Sequence, residues 1–287
     1  MKPFLKWAGG KRQLLKNWIL PVIHKHLSED KTFYEPFVGA GSVFLELEHS
    51  KVVINDSNED LMLCYTVIKN YSDELLNVLE RLKVNHSKEH FYQVRALDRD
   101  PIAFAKLSNV ERAARMIYLN KTCFNGLYRV NKKGQFNTPI GKYKNPLIYD
   151  ERNIRDISDY FLKNDILIKN QDFENVVKDA EKGDFIYFDP PYDYEIKGFT
   201  DYQKEGFNAF DLTRLKLTCD NLIKKGCKVL ISNHDTKRVR ELFSSKQYEL
   251  ITVNYKVEEI EVNRYIGSKI EYRKKAQEVL IYGSQKE

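Results

Sequence analysis

A chain of 287 residues with 42% hydrophobic and 13% aromatic residues carries enough apolar surface for a real core, which excludes an intrinsically disordered chain. No apolar run approaches the roughly 18 residues of a membrane helix, and Met1-Lys2-Pro3-Phe4-Leu5-Lys6 lacks the apolar segment of a secretory signal. Cys64, Cys123, Cys219 and Cys227 are scattered without a C-x-x-C pair, so neither a zinc site nor a disulfide framework is expected. The expectation is a reduced cytoplasmic protein with no metal and no membrane contact. The net charge is +6, and residues 121–145 hold six cations (Lys121, Arg129, Lys132, Lys133, Lys142, Lys144) and no acid, which equals the whole excess.

In chain order, a helix is expected over 11–27, a strand over 32–37, a helix over 42–48, a strand over 51–55 and a helix over 58–69. Further strands are expected over 166–169, 184–188, 228–232, 248–255 and 277–282, the last two pairing antiparallel. This alternation reads as an α/β fold built on a parallel sheet covered on both faces. Residues 72–120 differ. Leu75, Leu76, Leu79 and Leu82 share a helical face behind Ser72 as N-cap, and Ser108 with Glu111 forms a capping-box pattern before apolar positions 110, 113, 114 and 117. These helices and the basic loop after them read as an inserted recognition domain over 70–160, between sheet-forming segments 1–69 and 161–287.

The segment Glu35-Pro36-Phe37-Val38-Gly39-Ala40-Gly41-Ser42 follows the first strand and opens a helix, and its glycines permit a tight turn close to a ligand. The dinucleotide fingerprint needs a third glycine where Phe44 stands, and no Gly-Lys-Ser/Thr follows Gly41, so NAD and ATP are not supported. Asp56, at the end of the second strand, suits ribose hydroxyls in this class of sheet, or else caps the next helix. Asp172-Phe173 suits an adenine ring and its amino group.

Phe124, Tyr128, Phe136 and Tyr143 interleave with the cations of 121–145, a composition suited to phosphate contact and base stacking. A solvated basic loop is the plainer reading. Arg264, Lys269, Arg273, Lys274 and Lys275, opposed only by Glu271, extend the same charge.

Asp189-Pro190-Pro191-Tyr192 lies directly behind the apolar run Phe185-Ile186-Tyr187-Phe188. Open α/β sheets bind ligands at the carboxyl ends of strands. Two prolines stiffen the turn and leave outward carbonyls. An amino group on a flat ring could donate to Asp189 and a proline carbonyl while Tyr192 stacks on the ring. That arrangement suits methylation of an exocyclic amine. An Asp-Pro turn ending a strand is the alternative.

Together Phe4-Leu5-Lys6-Trp7-Ala8-Gly9-Gly10-Lys11, the glycine segment 35–42, Asn125-Gly126-Leu127-Tyr128-Arg129, Phe136-Asn137, Pro139-Ile140-Gly141-Lys142-Tyr143, Asp189-Pro190-Pro191-Tyr192 and Ile231-Ser232-Asn233-His234-Asp235 resemble the DNA adenine methyltransferase (Dam) family, in its D12 class and GATC-specific branch. The resemblance covers nearly the whole chain. It implies a seven-stranded, mostly parallel methyltransferase sheet with an antiparallel closing strand, S-adenosylmethionine as cofactor, and an inserted helical domain that reads double-stranded DNA. By position it implies cofactor contacts at Trp7, Lys11, Asp56 and Asp189, and weaker ones at Glu35, Phe37, Gly39 and Phe173. Asp189, Pro190 and Tyr192 are implied as catalytic.

Lys6, Leu127, Arg129 and Pro139 stand where the family reads GATC, and Asn125, Asn137 and Tyr143 lie in the same DNA-facing motifs. Phe124 stands where relatives have a wedging tyrosine, and Lys142 where many have arginine; lysine keeps a phosphate contact but not a fork-shaped one. The implied reaction is methyl transfer to N6 of a flipped-out adenine, in a restriction-modification setting with a cognate endonuclease or in another role. Alternatives are methylation of cytosine N4, of an RNA adenine or of a glutamine side chain, or a non-catalytic DNA-binding homologue.

Overall fold

The structure, a computed structural model, describes residues 1–7, 11, 14–191, 207–244, 246–248, 251–263 and 275–285. Its strands are β1 (Phe33–Glu35), β2 (Lys51–Asn55), β3 (Asp165–Lys169), β4 (Phe185–Phe188), β5 (Lys228–His234), β6 (Lys246–Tyr248), β7 (Ile251–Asn263) and β8 (Lys275–Gln285). The chain forms two compact units. The first comprises Met1–Arg12, Val38–Ser50 and Asp56–Asn170, and the second Gln13–Phe37, Lys51–Asn55 and Gln171–Glu287. These units are not divided at the expected 70–160 boundary: the glycine turn, Asp56 and the helix Glu59–Asn70 go with the central helices.

In the second unit, seven strands run in the order β2-β1-β4-β5-β8-β7-β6. The first four are parallel, and β8 is antiparallel to both β5 and β7. This is the expected α/β sheet, mostly parallel around β4, with β8 closing it. All four residues of β4 are fully buried, as a central parallel strand covered on both faces requires. One face packs Ile186, Phe188, Val229 and Ile231 against Leu212, Leu215, Cys219 and Ile223 of the helix Ala209–Lys224. That helix also buries an ion pair, Lys216–Asp220, whose carboxylate accepts a 2.6 Å hydrogen bond from the Tyr255 hydroxyl.

The first unit is mainly helical, and its aromatic centre is Phe44, Tyr65 and Phe161. Helix Asn109–Thr122 is buried along most of its length, and its capping box forms: Ser108 Oγ accepts from Glu111 N at 3.2 Å while Ser108 N donates to Glu111 Oε2 at 2.9 Å. Helix Ser72–Val84 buries Leu75, Leu76 and Leu79. Its N-cap is Tyr71 rather than Ser72, because the Tyr71 carbonyl already accepts the first helical hydrogen bond, from Leu75 N. The expected strand 32–37 stops at Glu35, since Pro36 has no N–H to continue a ladder.

Candidate functional site

In the first unit, the glycine turn is held by hydrogen bonds from all sides. Gly39 and Gly41 adopt left-handed conformations (φ +48° and +74°), and the turn closes through Gly41 N to Val38 O at 2.8 Å. A side chain at Gly39 would lie 3.0 Å from Trp7 Cδ1, and one at Gly41 would lie 2.3 Å from Phe44 Cε1. Asp56 accepts from Gly39 N at 3.1 Å and from Asn58 N at 2.9 Å. Burial pushes the Asp56 carboxyl above the ordinary range, opposed by hydrogen bonds from the Asn58, Gly39 and Ser57 backbone. Asn58, not Asp56, caps the helix, accepting from Leu61 N at 3.0 Å. Trp7 stacks on Tyr128 with centroids 5.5 Å apart, and Lys11 is buried. The arrangement offers an aromatic ring, bare backbone and a carboxylate at one turn.

Residues 121–145, expected as a basic loop, are tightly built. Leu127 N donates to Phe124 O at 3.2 Å around Asn125 (φ 55°) and Gly126 (φ 66°), the Asn-Gly signature of a type I′ turn. This leaves Phe124 46% and Leu127 44% exposed. Isolated antiparallel bridges join Val130 to Phe136 and Cys123 to Ile140, and Phe124 N donates to Pro139 O at 2.8 Å. Arg129 is exposed, and its Nε donates to Asn137 Oδ1 at 2.7 Å, which fixes the plane of the guanidinium. Lys6 Nζ donates to Tyr143 OH at 3.2 Å, and Lys142 is exposed. Asp98 clamps the hairpin, accepting from Phe136 N at 2.8 Å while pairing with Arg115 and Arg99 at 2.7 Å each. Burial, then the neighbouring Lys6, pushes the Lys121 ammonium pKa down.

In the second unit, Asp189 and Pro190 sit at the carboxyl end of β4, Asp189 half-buried and Pro190 buried. Behind them the Tyr187 hydroxyl shares a 2.7 Å hydrogen bond with Ser232 Oγ. Burial, then the Asp189 charge, raises the Tyr187 pKa far above its ordinary value, so this phenol stays protonated. Phe37 and Phe173 pack at 5.4 Å, and Glu35 is buried at the end of β1. Asp172 caps the short helix Phe173–Val176 and pairs with Arg214 at 2.9 Å, while the Arg214 guanidinium lies 4.9 Å from the Phe173 ring centroid. Tyr192, most of the basic cluster 264–275 and the segment 192–206 lie outside the described residues.

Sequence reasoning missed three asparagines and an arginine that organise these parts. In the second unit, Asn55 Nδ2 donates to Pro36 O and Gln171 O at 3.0 Å each, and its Oδ1 accepts from Gln171 N at 2.9 Å. In the first, the buried Asn120 holds the backbone of Lys6 from both sides at 2.8 Å and donates to Gly126 O at 3.0 Å. Asn233, at the end of β5, is fully buried, and its Nδ2 has no hydrogen-bond partner among the described residues. Arg214 gathers Asp172, Glu174 and Asp211. Only the Ser-Asn-His-Asp motif hinted at any of these four.

Comparison with known proteins agrees with the geometry. The Type II methyltransferase M1.LlaDCHI of Lactococcus lactis subsp. cremoris is 41% identical, with 99% of this chain and 96% of the relative covered. The Type II methyltransferase M.MjaIII of Methanocaldococcus jannaschii is 42% identical, covering 96% of each chain. The DNA adenine methylase of Escherichia coli strain K12 is 32% identical over 97% of this chain and 94% of its own. Residues 7–259 match the D12 class N6 adenine-specific DNA methyltransferase family. With its Asp-Pro-Pro corner on a buried parallel strand, the chain belongs to that family and is an adenine-specific DNA methyltransferase.

Proposed function

We propose that the methyl donor is S-adenosylmethionine and that the acceptor is N6 of an adenine flipped out of double-stranded DNA, within GATC. The observation that carries this reading is Asp189-Pro190 at the end of a strand buried along its whole length. The residues present fit the donor: Gly39 lacks the side chain that would crowd Trp7, and Asp56 offers a carboxylate for ribose hydroxyls. In the first unit we assign the donor to Trp7, Lys11, Gly39 and Asp56. In the second we assign it to Glu35, Phe37, Phe173 and Asp189. Bound, the donor supplies an electrophilic methyl group.

The chain's own residues then act on the adenine. The amino lone pair is delocalised into the ring, which makes it a poor nucleophile. The Asp189 carboxylate and the Pro190 carbonyl each accept one N6–H, which favours a pyramidal nitrogen and stabilises the positive charge that develops on it. Tyr192 stacks on the flipped ring. Much of the rate comes from holding both reactants in line, and no covalent intermediate with the chain is required.

On the DNA side, residues 70–160 act as the target-recognition region. Phe124 wedges into the duplex, Leu127, Arg129, Pro139 and Lys6 read the site, and Asn125, Asn137, Lys142 and Tyr143 support its backbone or bases. The type II names of two relatives favour a companion restriction endonuclease, with a cytoplasmic location. The test is to incubate unmethylated plasmid with protein and S-adenosylmethionine, then digest with nucleases of different methyl sensitivity at GATC. Protection at GATC together with N6-methyladenine in hydrolysed DNA is expected. Methylation confined to another sequence would overturn the GATC assignment, and N4-methylcytosine would overturn the chemistry.

A further inference from the structure

Trp7 and Arg129 belong to different tasks in the reading above, yet a single residue lies between them. The Tyr128 ring stacks on Trp7 with centroids 5.5 Å apart and planes 29° from parallel. Its edge meets Phe136 at 6.0 Å, across the hairpin that the Val130–Phe136 bridge closes. Its hydroxyl donates to Asp60 Oδ2 at 3.1 Å, anchoring the ring to helix Glu59–Asn70. Trp7 in turn lies against Gly39, whose N–H donates to Asp56 and whose carbonyl accepts from Tyr65 OH at 2.9 Å. Arg129 follows Tyr128 directly in the chain, and Asn137 N donates to Arg129 O at 2.9 Å. Direct contacts therefore run from Asp56 through Gly39 and Trp7 to Tyr128, and the backbone carries the path on to Arg129, whose guanidinium Asn137 orients. Between Asp56 and Tyr128 no residue of that path is a long solvated side chain able to absorb a displacement, and the exposed Arg129 at its end is held by Asn137.

We propose that Tyr128 is a positioning residue that couples cofactor occupancy to target reading, setting Arg129 by way of Trp7. This rests on the assignment of Trp7 to the donor and Arg129 to the DNA. A ligand pressed against Trp7 narrows the positions its ring can take, which narrows those of Tyr128 and of the hairpin. Coupling of this kind is reciprocal, so bound target DNA must change cofactor affinity by the same factor. Leucine at 128 would fill part of the space but could not stack. Phenylalanine would keep the stack and lose only the hydroxyl's bonds to Asp60 and Asn58.

The test uses Trp18→Phe, which leaves Trp7 as the one tryptophan of the chain. S-adenosylhomocysteine is titrated against Trp7 fluorescence, with and without a saturating GATC duplex. In this background the expected ratio of the two affinities is about fivefold or more. Tyr128→Leu should still show the quench but bring the ratio to about one, and Tyr128→Phe should restore it. An unchanged ratio in Tyr128→Leu overturns the coupling role, as does a ratio of about one before Tyr128 is altered. Absence of any Trp7 response to the nucleoside overturns the donor assignment itself, a separate failure. If Tyr128→Leu does not fold, Tyr128→Met, which fills more of the ring's volume but offers no flat face to Trp7, takes its place; a ratio brought to about one supports the proposal and an unchanged one overturns it.

Discussion

Replacing Asn55 with aspartate changes one atom group and reverses the sign of two contacts. The Nδ2 that donates to Pro36 O and Gln171 O becomes an oxygen facing two carbonyl oxygens at 3.0 Å, in a site where the residue is 1% exposed. The bond from Gln171 N to Oδ1 survives. Losing two hydrogen bonds costs about 2 kcal/mol, and the uncompensated buried groups add about 1–3 more, so a destabilisation of about 3–5 kcal/mol is expected near neutral pH. A proton on the new carboxyl restores one bond, so the folded state holds that proton more tightly than the unfolded state does. The folded pKa therefore rises above about 3.9. Stability of the variant then falls as pH rises from there through the folded pKa, and acidification to about pH 5 recovers part of the loss. Asn55→Ala lacks any such group and should lose stability by an amount that does not change with pH. Urea unfolding of the two variants followed by circular dichroism measures both quantities. A loss under about 1 kcal/mol for Asn55→Asp, or the same pH dependence as Asn55→Ala, refutes the argument.

Asp189→Ala should abolish methyl transfer while leaving duplex binding intact in a gel-shift assay, and near-normal turnover would defeat the proposed mechanism. Arg129→Ala should relax discrimination at one base pair by about 1–3 kcal/mol; a uniform loss across all sequences in a competition assay would mark Arg129 as a phosphate contact instead. Burial raises the Asp56 carboxyl above its ordinary 3.8, so its ionised form carries a folding penalty that is present above the folded pKa and relieved as pH falls through it. Protonation also ends its service to ribose hydroxyls, so S-adenosylmethionine affinity should decline as pH falls through that raised value. Asp56→Asn should flatten this inflection in calorimetric titrations, and an unaltered pH profile would show that another group titrates.

What the sequence revealed and what it hid divide along the range of the contacts involved. β4 was legible because four apolar residues bounded by Asp184 and Asp189 have one stable place, the middle of a covered sheet. Helix Asn109–Thr122 was legible because its capping box lies within four residues. The hairpin behind Phe124 was read as loop because its pairing is by isolated bridges, which leave no alternating pattern to find. Asn55 and Asn120 were passed over because asparagine signals turns locally, whereas their partners lie up to 116 and 114 residues away.

A reason for asparagine in particular follows from its chemistry. Its side-chain amide has the donor and acceptor of a peptide group, and so can replace a ladder where none runs. Asn55 joins two loops beyond strand ends, Asn120 joins Lys6 to a turn, and Asn137 holds a guanidinium. Asn55 ends β2 and Asn120 lies in helix Asn109–Thr122, and each reaches out to irregular backbone that neither ladder fixes. At Asn55 and Asn120 aspartate would lack the donor, and serine would lack the reach to hold two backbone groups at once. Substitution at these positions should therefore disturb the geometry of the site more than residue size or hydropathy suggests.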